Sequence, residues 1–184
     1  MTDLPFELSG STLITGPSNV GKTRLTARAL DTWVMRHGPD GVVVFEFGPE
    51  FEHEGRILGR HLSRFGTLPD DVWLGGFDAY APRAEGATNE ESQKLAAENA
   101  DRAKRIIESA PTDPQAVFVN DASIPFQHER SLPKSLIEYC DGSDAVVVNA
   151  FESDELGSED DVSQQEREAL SVFQAWADRV IRRE

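Results

Sequence analysis

The chain reads as an α/β protein in which a mostly parallel sheet carries helices on both faces, in three layers. Three observations predict this. Short runs of β-branched and apolar residues alternate with longer segments whose apolar residues recur at helical spacing. Glycine and proline clusters separate them, at Gly38-Pro39, Gly48-Pro49 and Pro111-Thr112-Asp113-Pro114. One glycine-rich stretch, Gly16 to Thr23, lies between the first apolar run and the first helical pattern, where a strand turns into a helix. At 184 residues the chain is expected to form a single domain spanning 1–184.

The elements follow in order. Leu4 to Leu8 reads as a short lead-in before the Ser9-Gly10 turn. Ser11 to Thr15 is the first buried strand, and Lys22 to His37 the first helix, with Leu25, Ala29, Leu30, Trp33 and Val34 at helical spacing. Gly38-Pro39-Asp40-Gly41 stops it. Val42 to Phe47 is a second buried strand, and Glu54 to Phe65 reads as a helix closed by Gly66. Val72 to Phe77 is the third strand, interrupted by paired glycines. Thr88 and Glu91 form a capping box for a helix running to about Ala110. Ala116 to Asp121 is the fourth strand, Pro133 to Cys140 a helix, and Ala145 to Asn149 the fifth strand. The loop from Phe151 to Asp161 is acidic. Ser163 and Glu166 read as a second capping box, for a helix containing Leu170, Val172, Phe173 and Trp176. Asp178 to Arg183 is the sixth strand.

Gly16-Pro17-Ser18-Asn19-Val20-Gly21-Lys22-Thr23 fits G-x-x-x-x-G-K-[ST], the phosphate-binding P-loop. A chance match in a chain of this length arises on the order of once in two hundred sequences, given about 7% glycine in average usage. Backbone N–H groups along such a turn converge on one anion, and the helix start adds positive charge to the same spot. Gly16, Pro17, Ser18, Asn19, Val20, Gly21, Lys22, Thr23 and the following Arg24 are thus the expected nucleotide-binding segment. Lys22 is expected to reach the β- and γ-phosphates, and the Thr23 hydroxyl to hold Mg²⁺. Ala116 to Asp121 has the form of a Walker B strand, whose terminal acid, here Asp121, also holds Mg²⁺. In parallel sheets ligands bind beyond the carboxyl ends of the strands. Glu46, Asp78, Asp121 and Asn149 are therefore expected on the rim that carries the P-loop, and the expected ligand is ATP with Mg²⁺.

Composition narrows the classes. The net charge is −15, and only four of the 18 basic residues are lysines. Acids are spread through every segment, as in proteins of salt-loving organisms, whose internal salt screens the repulsion. Such a chain is a poor ligand for the nucleic-acid backbone, so no nucleic-acid partner is expected. No apolar run approaches the ~20 residues of a membrane span, and the N-terminus lacks signal-peptide features. A cytoplasmic protein is expected. The single cysteine, Cys140, sits in a helical pattern and reads as core filler, and the four scattered histidines offer no zinc spacing. The acidic loop reads as solvated or as a docking segment for a protein partner or a second copy.

With these elements in place, the chain resembles RecA/KaiC-type ATPase cores over nearly its whole length, as a three-layer, RecA-like P-loop NTPase. The residues that carry the resemblance are the P-loop, V-V-V-F-E-F ending at Glu46, A-V-F-V-N-D ending at Asp121, and A-V-V-V-N ending at Asn149. The resemblance implies Mg²⁺-dependent ATP hydrolysis coupled to a regulatory or assembly role. It implies that Glu46 polarises the attacking water and that Asn149 senses the γ-phosphate, which makes them, with Lys22 at the β- and γ-phosphates, the expected catalytic residues. Ala122 follows the Walker B acid, so no glutamate stands there as a base. Arg182 and Arg183 are the candidates for an arginine finger. The chain also resembles P-loop corrinoid adenosyltransferases in G-V-V-V-F-E-F, G-F-D-A-Y and A-K-R-I-I, which implies transfer of adenosyl from ATP. It lacks their G-K-G-K-T loop and their Asp-Glu pair. A nucleotide-gated interaction module with little turnover is the third class.

Overall fold

Runs of β-branched residues become the strands of one six-stranded sheet in the computed structural model, which describes residues 3–184. In chain order the first elements are β1 (Gly10–Gly16), α1 (Lys22–His37), β2 (Val42–Glu46), β3 (Phe51–His53) and β4 (Arg56–Leu58). Then come β5 (Trp73–Gly76), α2 (Pro82–Glu85), α3 (Asn89–Ser109) and β6 (Ala116–Asn120). The chain continues with α4 (Pro133–Cys140), β7 (Ala145–Phe151), α5 (Asp161–Trp176) and β8 (Arg179–Arg182). The sheet order is β5-β2-β6-β7-β1-β8, and every neighbouring pair is parallel.

The layers follow from the pleat. Alternate residues of a strand point to opposite faces, so Val42 and Val44 join one core and Val43 and Phe45 the other. The first core is closed by α1 through Leu25, Ala29, Leu30 and Trp33. The second is closed by α3, α4 and α5 through Ala103, Ile107, Leu136, Leu170 and Phe173. Each large apolar side chain buried in this way contributes about 1.5–3 kcal/mol. Burial on both faces is why the strands read as continuous apolar runs. Cys140 packs in the second core, where burial pushes its thiol pKa up. Among the described residues, no helix is long and apolar enough to cross a membrane.

The expected elements differ in three places. Glu54 to Phe65 is not a helix. Glu54 and Gly55, with φ of 50° and 77°, turn the chain between β3 and β4, which pair antiparallel apart from the main sheet. A two-residue turn with positive φ at both positions fits the twist of a hairpin, and glycine supplies the second position. Leu62–Arg64 then forms a single 3₁₀ turn. Leu4 to Leu8 leads into β1 outside the sheet, as expected, and Leu4, Phe6 and Leu8 pack on the α1 side. The cap of α5 is Asp160 rather than Ser163, since Asp160 Oδ1 accepts the Ser163 N–H at 2.9 Å. Glu166 is drawn into the protein by Arg83 instead of closing a capping box. β6 ends at Asn120, and Asp121 turns the chain with φ of 59°. The Thr88 cap of α3 is as expected, with its hydroxyl accepting the Glu91 N–H at 3.1 Å.

Candidate functional site

Because every strand of the sheet runs the same way, the carboxyl ends of β1, β2, β6 and β7 share one rim. A cleft of about 640 Å³ opens there, within the ~300–1,000 Å³ range of ligand pockets. Ser18 through Arg24 line it, together with Asn120, Asp121, Asn149, Phe65 and Arg183. Gly16 and Pro17 shape the turn instead. A Cβ at Gly16 would collide with the carbonyl oxygen of Arg183, so the chain leaving β8 can lie against the loop only when residue 16 is glycine. Gly21, at φ of 87°, caps α1 in a conformation that L residues avoid, and α1 starts at Lys22 with its N-terminus on the cleft.

Register places the polar groups. Glu46 stands opposite Asn120 across β2 and β6. Asn120 Nδ2 donates to Glu46 Oε1 at 2.5 Å and to the Arg60 carbonyl at 2.6 Å. Asn120 Oδ1 then accepts the Thr23 hydroxyl at 3.0 Å and Asn149 Nδ2 at 2.9 Å. With its proton held by Asn120, the Thr23 oxygen keeps lone pairs for a cation. Asn149 spends its whole amide inside the protein. It donates also to Thr26 Oγ1 at 2.8 Å, and its oxygen accepts the Asp121 N–H at 2.8 Å. Asn149 thus fixes the turn that presents Asp121. Asn120 is one residue whose part in the cleft the sequence did not mark. It stood in V-F-V-N-D beside the acid, but its bond to Thr23 joins positions 97 residues apart.

Glu46 is not on the cleft wall. Its carboxylate accepts the N–H groups of Leu62 at 2.7 Å and Gly48 at 3.2 Å, besides the Asn120 amide. Asp121 is the acid that lines the cleft. Among the arginine candidates, Arg183 lines the cleft and its Nε donates to the Val20 carbonyl at 3.3 Å. Arg182 faces Glu152 at 3.7 Å. Arg24 lies over the Phe65 ring, 5.4 Å from its centroid.

Charge is concentrated where water is scarce. Burial lowers the Lys22 pKa, while Asp121, Glu155 and Glu166 oppose the shift, and the ammonium donates to the Pro17 carbonyl. Burial raises Asp121 to about 6 against the pull of Lys22. Burial likewise raises Glu46 to about 7 against its N–H donors. One further acid reaches the loop: Glu155, from the segment between β7 and α5, takes the Ser18 N–H on its Oε1 at 2.7 Å. Arg56 of the β3–β4 hairpin approaches the other carboxylate oxygen at 4.0 Å.

These shifts set a pH dependence. Ordinary Asp and Glu titrate near about 3.9 and 4.3, so from about pH 4 to 7 the folded chain binds more protons than the unfolded chain at these two sites. Stability at Asp121 and Glu46 therefore falls as pH rises through that window. At lower pH the sign reverses. The Arg64 hydrogen bond holds Glu50 down to about 2, and hydrogen bonds from Ser163 and Ser11 lower Asp160 and Asp178. Their contribution is lost as pH falls below the ordinary carboxylate range. Thermal melts are expected to peak near about pH 4, and Glu46→Gln with Asp121→Asn should flatten the decline between about pH 4 and 7. A melting temperature that climbs steadily to pH 8 would contradict this.

No protein-family model matches the chain, and none of the curated proteins matches it in sequence.

Proposed function

We propose that the cleft binds ATP with Mg²⁺ and that the protein hydrolyses it, as a P-loop ATPase with a RecA-like core serving a regulatory or assembly cycle. One observation carries the reading. A carboxylate oxygen of Glu155 sits 2.7 Å from the Ser18 N–H, beside Lys22, so the loop already holds an anionic oxygen on its own donor. A phosphate oxygen offers the same charge and the same acceptor geometry. The order of the sheet adds support, because β7 stands between the strand that leads into the loop and the strand that leads into Asp121.

The residues divide the work. Ser18, Val20 and Gly21 offer N–H groups at the helix start, and Lys22 supplies a point charge to the terminal phosphates. The Thr23 oxygen and the Asp121 carboxylate form the hard-oxygen donor set that suits Mg²⁺, and both line the cleft. When bound, the ion neutralises charge on the phosphate chain. Glu46 acts as a positioning residue, orienting the Asn120 amide that orients Thr23. Phe65 and the Arg24 guanidinium supply an aromatic and cationic wall for the base.

The Glu155 contact also favours a second reading, a nucleotide-gated module. Phosphate must displace Glu155 from Ser18, and the acidic segment 152–160 then changes its contacts and its availability to a protein partner. Both readings share one expected result. Glu155→Ala should tighten ATP–Mg²⁺ binding roughly 5- to 10-fold, about 1–1.4 kcal/mol, because the competing anion is removed. Titration of the two proteins with ATP, alongside a phosphate-release assay, separates the readings: rapid release supports hydrolysis, and tight binding with little release supports gating. Equal affinities would mean that Glu155 does not occupy the phosphate position.

A further inference from the structure

A second, smaller cavity adjoins the cleft, and Ser18, Gly59, Asp121 and Phe151 belong to the walls of both. Its volume is about 50 Å³, enough for one or two waters and far below the ~300 Å³ of pockets that take organic ligands. Gln127 lines it and is 2% exposed. The Gln127 amide is fixed at its nitrogen, which donates to Glu166 Oε2 at 2.6 Å. Glu166 is in turn held by Arg83, with bonds of 3.0 and 2.9 Å. This chain leaves Gln127 Oε1 buried with no hydrogen-bond partner; Asp121 Oδ1, from the same wall, also lacks one, although the Ser123 N–H and hydroxyl stand close enough to the Asp121 carboxylate to lower its pKa. A buried acceptor without a donor is unfavourable. Two of them on one cavity of this size call for a molecule that donates twice.

The geometry points to this cavity as the seat of the attacking water, with Gln127 as the residue that positions it; the inference rests on the cleft's binding a nucleoside triphosphate. A water that donates both hydrogens to Gln127 Oε1 and Asp121 Oδ1 keeps its lone pairs for phosphorus. Ser18, on the shared wall, carries the N–H that Glu155 now holds, so the phosphate position and the water position are neighbours. The water oxygen forms a bond to the terminal phosphorus while the bond from phosphorus to the bridging oxygen breaks. The bridging electron pair leaves with the diphosphate, and a water proton passes to an oxygen of the released phosphate. Positioning of this kind makes water the acceptor and leaves no room for a larger one.

The test uses Gln127→Met, which keeps volume and removes the acceptor, and Ala84→Leu, which fills the cavity from α2 and leaves Gln127 bonded to Glu166. Three quantities are read for the full chain: ATP–Mg²⁺ affinity, phosphate release, and affinity for ADP with orthovanadate, which mimics the five-coordinate phosphorus. In both variants ATP affinity should stay within about twofold of the parent. Phosphate release should fall about 10²-fold at unchanged KM, and ADP–vanadate affinity at least about 10-fold. If thermal melting shows Gln127→Met unfolded, Ala84→Leu decides. A folded variant with parental release and parental vanadate affinity overturns the inference, and so does a parent that binds ATP and releases no phosphate. A parent that binds no nucleoside triphosphate overturns the reading of the cleft itself, and this inference with it.

Discussion

Lys22→Ala is expected to abolish the stabilisation of the fold by ATP–Mg²⁺. At a ligand concentration one hundred times Kd, binding to the folded state alone adds about 2.7 kcal/mol, and the variant should lose nearly all of it. The reason is local. Lys22 opens α1 on the cleft wall, and its ammonium is held among Asp121, Glu155 and Glu166 with its charge partly desolvated. A charge kept ready in a site poor in water interacts more strongly with phosphate than one in bulk solvent. The unliganded variant should melt close to the parent, because the backbone of the loop is set by Gly16, Gly21 and the contact with β8. Differential scanning fluorimetry with and without ATP reads both quantities. An undiminished ATP-dependent shift in Lys22→Ala would contradict the assignment of the loop.

Arg83→Met carries the largest expected loss of stability. Arg83 and Glu166 lie 2.9 Å apart with side chains only 10% and 6% exposed, and Arg83 donates also to Ser163 Oγ at 2.9 Å. Removing one partner of a buried pair strands the other charge, which costs about 3–5 kcal/mol. Burial already raises the Glu166 pKa against the pull of Arg83. Without the guanidinium that rise grows, so the variant should recover stability as the pH is lowered and Glu166 takes a proton. Arg83→Met with Glu166→Leu, which removes both charges, should regain much of the loss. Urea titrations at two pH values measure these terms. A single-variant loss below about 1 kcal/mol would mean that the pair is solvated rather than buried.

The parts of the fold legible in the sequence are those set by neighbours along the chain. A parallel sheet buried on both faces requires unbroken apolar strands, so Val42 to Phe45 and Val146 to Val148 could be read directly. The turn from β1 into α1 was legible because Gly16 and Gly21 stand where the backbone takes positive φ. The hairpin at Phe51–Leu58 was not, since E-F-E-H-E-G-R-I-L carries residues that suit a helix, and only the positive φ at Glu54 and Gly55 decides the turn. The start of α5 was misplaced because Asp160 and Ser163 are both capping residues three positions apart. Arg83, 83 residues before Glu166, decides between them by drawing that acid inward. Within the site, Lys22, Thr23, Asp121 and Asn149 were legible as residues that meet on one rim. The parts played by Asn120, Gln127 and Glu155 depend on partners brought together by the crossovers. Glu155 in particular looked like one more solvated acid, and its contact with Ser18 spans 137 residues.

Every role proposed for the cleft depends on Ser18 to Thr23 binding the phosphates of a nucleoside triphosphate. Isothermal titration calorimetry of the full chain with ATP in a high-salt magnesium buffer tests it most directly. One binding event per chain is expected, weakened when Mg²⁺ is chelated, tightened in Glu155→Ala and lost in Lys22→Ala. Absence of any saturable binding of ATP or GTP up to millimolar concentration, by a chain that melts cooperatively in the same buffer, would contradict it.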